Sequence, residues 1–205
     1  MNTKTQLLLG SVITAALITA VPALCAQTAT GSFKNEPDKS MAAAQESLEK
    51  GNKDKAAADL EKASKWVKKQ ADEVGRESSA GMKTAGEELE KLGEGVKNGT
   101  VKSGDEMKKA FAKVDHEIAS CWHKSAEDSK KAGKDSTADL KKAGAALESS
   151  AKWSGHQLSE GTKDSVKAVK KAGKATGEGT KAAAKDVDKW FKDIGDGIKD
   201  LGRKL

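Results

Sequence analysis

The chain has 205 residues, of which 33% are charged and 3% aromatic, and it contains no Tyr. It carries 37 Lys+Arg against 31 Asp+Glu, a formal net charge of +6, so no polyanionic partner is demanded. Bulky side chains are too sparse for the large core of an ordinary domain of this size, which buries around 70% of its unfolded surface.

Residues 1–26 read as a secretory signal. Lys4 supplies the charge, Leu7 to Val21 the apolar run, and Pro22 to Ala26 the small-residue exit. The run is shorter than the roughly 20 residues needed to span a bilayer. Export to a bacterial periplasm or cell envelope is expected, with secretion as the alternative. Export argues against nucleic acid as a partner. Cys25 follows Leu24, where a lipoprotein signal wants a small residue, so lipid anchoring at Cys25 is disfavoured.

Residues 27–37 form a polar, Pro-ended linker. Both prolines, Pro22 and Pro37, precede Asp38, and Pro costs about 3 kcal/mol inside a helix, so nothing beyond forbids helix. Ala, Lys and Glu favour it. The fold class expected is therefore all-α. Across 38–98 a helical hairpin region is predicted. A pattern from Asp38 to Lys50 places Ala44 and Leu48 on one side, and Gly51-Asn52 reads as a C-cap and turn. A second helix resumes near Asp54, with Leu60, Ala63, Val67, Ala71 and Val74 on one stripe. Ala85, Leu89, Leu92 and Val96 carry the helix on until Asn98-Gly99-Thr100 interrupts it. Ser103 with Glu106 forms a capping box, and Met107, Phe111, Val114 and Ile118 follow at core-like 4-3-4 spacing.

Residues 103–205 carry an eleven-residue repeat. Lysine stands at Lys97, Lys108, Lys130, Lys141, Lys152, Lys163, Lys174 and Lys185, and only Ala119 breaks the series. Eleven residues make three helical turns at about 3.67 residues per turn. Leu140, Leu147, Ala151, Leu158, Val169, Val187, Phe191 and Ile198 fall on one inner stripe, but many other stripe positions are Ala, Ser, Thr or Gly. Long Ala/Lys-rich amphipathic helices are expected, loosely packed or partly disordered. Gly173, Gly177 and Gly179 read as helix-weakening positions or a hinge.

The segments Lys130 to Gly144 and Val169 to Asp186 resemble the group 3 late-embryogenesis-abundant (LEA) proteins, built on 11-residue motifs rich in Ala, Lys, Glu, Thr and Gly. The likeness runs roughly from Val96 to Leu205. Four Trp, a Cys and two His in the middle depart from that pattern, as does the low Glu content of the repeats. The resemblance implies protection of membranes or proteins through helices that form when water is scarce. Exchangeable apolipoproteins use the same period to lie on lipid, a weaker resemblance.

Little points to chemistry. His116, Cys121 and His123 are the only metal-type cluster. The two histidines share a helix face two turns apart, about 10 Å, too far for direct ligation of one ion. No metal site and no cofactor is expected. No Ser/His/Asp order, phosphate loop or paired carboxylate stands in a cleft, so an enzyme is not expected. Cys121 is the lone cysteine left once the signal departs, which offers an intermolecular disulfide and a homodimer, against a buried free thiol beside Trp122.

The densest local signal is an amphipathic C-terminal helix over 184–205. Val187, Phe191, Ile194, Ile198, Leu201 and Leu205 fall at 4-3-4-3-4, with Trp190 at the edge. These residues are the candidate membrane or partner contact, against the alternative of docking onto a bundle. The function expected is non-enzymatic exported stress protection, LEA-like, shielding a membrane surface or partially unfolded client proteins. The alternatives are a structural or protein-interaction helical bundle of the envelope, favoured by bulky anchors such as Trp66, Phe111 and Trp122, and an apolipoprotein-like lipid-surface binder.

Overall fold

A computed structural model describes residues 35–175 and 184–205. The 1–26 signal, Cys25, the linker up to residue 34, and the repeat positions Gly177 and Gly179 lie outside the described residues. The described residues form seven α-helices and no strand: α1 (Asp38–Glu49), α2 (Lys53–Gln70), α3 (Arg76–Lys97), α4 (Gly104–Lys131), α5 (Thr137–Ser154), α6 (Glu160–Ala175) and α7 (Ala184–Gly202). The fold is all-α.

Each helix packs on the next in the chain, as short connections dictate. α7 then returns onto α4 and α5, and α1 also reaches α4. The longest helix, α4, is thus the shared wall: α1, α3, α5 and α7 all lean on it. Its start is locally encoded. Glu106 N–H donates to Ser103 Oγ (3.2 Å), and Ser103 N–H donates back to Glu106 Oε2 (3.2 Å). Met107, Phe111, Val114, Ile118 and Trp122 then bury one stripe of α4.

The α1–α2 turn follows the sequence reading. Gly51 takes a positive φ of 77°, which a side chain would resist, and Asn52 accepts from Lys55 N–H at 3.0 Å to cap α2. One expectation of continuity is corrected. The stretch from Asp54 to Val96 is two helices, because α2 ends at Gln70 and Gly75, in extended conformation, opens α3. The hairpin region therefore holds three helices.

The eleven-residue frame is likewise not one rod. It passes through the turn between α4 and α5, and again through Gly155, left-handed at φ 72° after α5. The stripe itself is real: Leu140, Leu147 and Ala151 on α5, Leu158 in the connection that follows, and Val169 on α6 are all buried.

The buried apolar side chains of all seven helices form one contiguous cluster. Small residues beside the stripe let neighbouring helices approach. A Cβ at Gly144 would lie only 3.1 Å from Val166, so the bare glycine lets α6 approach α5 closely. Small hydroxyl side chains stitch the same layer, as where Ser150 Oγ donates to the Ala112 carbonyl (2.6 Å). Among the described residues no helix is long and apolar enough to cross a membrane.

Candidate functional site in the docked C-terminal helix

The stripe singled out in 184–205 lies inside the bundle. Trp190, Phe191, Ile194, Ile198 and Leu201 are buried, and Val187 and Leu205 half-buried. The physical reason is that α4, α5 and α6 leave a groove that this stripe fills. The stripe is covered while α7 is docked. Its outer face carries exposed ion pairs, Lys192 with Asp196 (2.8 Å) and Lys204 with Asp200 (2.6 Å). Such pairs contribute little each.

The seam between α7 and the bundle is polar in a repeated way. His116 Nε2 bonds the Ile198 carbonyl at 2.9 Å, and His123 Nε2 bonds the Phe191 carbonyl at 3.0 Å. A carbonyl only accepts, so each Nε2 carries its proton. The histidines stand seven residues apart on α4, and their carbonyls seven apart on α7 in reverse order. Two turns of one helix thus meet two turns of its antiparallel neighbour. Four residues beyond each carbonyl comes a glycine, Gly195 or Gly202. A Cβ there would lie 3.1 Å from His123 Nε2 or 2.7 Å from His116 Nε2. The glycines open the notches through which the imidazoles reach the helix backbone.

The third histidine reaches the turn after α7: His156 Nε2 bonds the Lys204 carbonyl at 3.2 Å. Since the chain has three histidines in all, every one of them holds the backbone of α7 or its C-terminal turn. Thr162 Oγ1 adds a bond to the Asp193 carbonyl (3.1 Å) from α6. Burial alone would raise the Asp193 carboxyl, but bonds from Lys189 and Ser165 outweigh it and hold it below its ordinary value. The face shared by His116 and His123 was legible in the sequence; its use as a backbone clasp was not.

Cys121 lies inside, on α4. It is a buried free thiol, with burial first and the Glu117 carboxylate second pushing it up to about 12. A thiol so placed is a poor nucleophile, and a disulfide between two chains through Cys121 requires α4 to open. Iodoacetamide at neutral pH is expected to modify it only as fast as the chain unfolds. Modification at the rate of a free cysteine under native conditions would contradict this placement.

One correction concerns carboxylates. Asp38, at the start of α1, and Asp115, in the middle of α4, come together under Trp153 although 77 positions separate them in sequence. Asp38 accepts from Trp153 Nε1 (3.0 Å) and Ser149 Oγ (2.7 Å). Burial drives the Asp115 carboxyl well above its ordinary range, and the like charge of Asp38 and a hydrogen bond with it add to the shift. Comparison with known proteins finds no matching family model, no matching curated protein and no matching solved structure.

Proposed function

We propose that this chain is a non-enzymatic, exported helical bundle that protects an envelope membrane by releasing α7 onto the lipid surface. The observation that carries the reading is the histidine clasp. An apolar stripe is held by bonds from two histidines to the backbone of one helix and from the third to the turn that ends it. Burying a large apolar side chain contributes roughly 1.5–3 kcal/mol, and a bilayer interface supplies that burial as the groove does. The apolar term therefore nearly cancels between the two states. The clasp bonds, worth about 0.5–1.5 kcal/mol each, bias the balance toward the docked state.

The bulky buried anchors Phe111, Trp122 and Trp153 support a bundle folded before release, rather than helices that form only on drying. Lys and Arg nearly match Asp along 184–205, so attachment rests on apolar burial and is only weakly salt-dependent. A second reading, a permanently closed interaction bundle, is favoured by the contiguous core.

Hydrogen exchange separates the two. In buffer, α7 amides are expected to exchange before those of α2 to α5. Phosphatidylglycerol vesicles are expected to re-protect them without touching α2 to α5. Exchange of α7 only through global unfolding, unchanged by vesicles, would leave the closed bundle as the answer.

A further inference from the structure

Away from α7, a cavity of about 420 Å³ opens between the start of α1 and helices α2, α4, α5 and α6. That volume lies within the range of small-molecule sites. Two indoles line it, the half-buried Trp66 and the buried Trp122. Asp38 and Asp115 line it too, and Asp115, 1% exposed, keeps its Oδ2 buried with no hydrogen-bond partner. Glu36, another lining residue, bonds Lys62 through Oε1 (3.0 Å) while its Oε2 is buried unpartnered. An orphaned buried acceptor is costly, and a bound donor would remove the cost.

The unmet groups are carboxyl oxygens, which call for N–H donors; Lys142, Lys152 and Lys170 line the rest of the cavity, on α5 and α6. The Trp122 ring takes a cation in this fold: Lys142 Nζ sits 3.7 Å from its centre, so a bound amine would displace that contact or use the Trp66 ring. The geometry points to this cavity as a binding site for a small aromatic or aliphatic amine. Its ammonium bonds Glu36 and Asp115, and its apolar body rests on Trp66 and Trp122. The site shares no residue with the α7 clasp, so it stands or falls apart from the membrane reading.

Calorimetric titration of the mature chain with phenethylamine, and with neutral 2-phenylethanol as the comparison, tests it. One saturable site is expected for the amine, with the alcohol about tenfold weaker or worse, as loss of a charge-assisted hydrogen bond implies. E36Q and D115N are each expected to weaken the amine by about tenfold while melting stays cooperative. E36Q alters a residue ahead of α1, so it keeps the test decisive if D115N does not fold. No saturation at millimolar amine, equal binding of the alcohol, or an E36Q variant that binds like the parent would overturn the assignment.

Discussion

Trp122→Ala is expected to remove about 3–5 kcal/mol of folding stability. Whole domains of this kind have roughly 5–15 kcal/mol, so the variant should sit near the edge of folding. With about 2–4 °C per kcal/mol for a chain this long, the midpoint should fall by around 10 °C or more. The size of the effect follows from placement. Trp122 is among the largest side chains that are fully buried. It also stands on α4, against which α1, α3, α5 and α7 all pack. Its loss loosens several helix pairs together rather than one. Thermal melting by circular dichroism is the measurement. A chain that is helical only when dry would show no cooperative transition to shift, and an unchanged midpoint would mean that the core does not hold the fold.

Local signals in this chain were legible and long-range ones were not. The Ser103–Glu106 box could be read because both partners stand within one turn. The 4-3-4 stripe of α4 could be read because bulky residues at that spacing have one efficient way to be buried. The break between α2 and α3 left almost no mark: no Pro, and a single Gly75. The eleven-residue frame left the number of helices open for a related reason. Its period fixes which side of each helix faces inward, and that holds across Gly155, but period says nothing of where the chain turns.

The stripe of α7 shows the same limit. A groove of helices and a lipid surface demand one and the same pattern, so no sequence reading chooses between them. The carboxyl pair Asp38–Asp115 and the histidine clasp were invisible for a different cause. The pair needs tertiary contact, and the clasp uses backbone carbonyls, which every residue has.

Gly195→Ala with Gly202→Ala is expected to move α7 out of the bundle and onto lipid. Each new methyl group would sit where an imidazole now reaches the helix, 3.1 Å from His123 Nε2 and 2.7 Å from His116 Nε2. The rings must withdraw, and each withdrawal gives up a hydrogen bond worth about 0.5–1.5 kcal/mol. Ala also favours helix over Gly by about 1 kcal/mol, but α7 is helical when docked and when on lipid, so that gain cancels in the transfer. The net shift is roughly 1–3 kcal/mol, about 5- to 150-fold in the partition to phosphatidylglycerol vesicles. Flotation of the protein with vesicles reads it directly.

His116→Ala with His123→Ala should raise the partition in the same direction, because it removes the same bonds and the edge contact of His123 with the Phe191 ring. The decisive comparison is the combination. With the imidazoles gone, the added methyl groups enter vacated space and have no bond left to break. The glycine and histidine changes together should therefore do less than the sum of their separate effects, by about the value of the two lost bonds. Strict additivity would place the methyl groups' effect somewhere other than the clasp. A partition unchanged by either pair would mean that the clasp does not restrain α7.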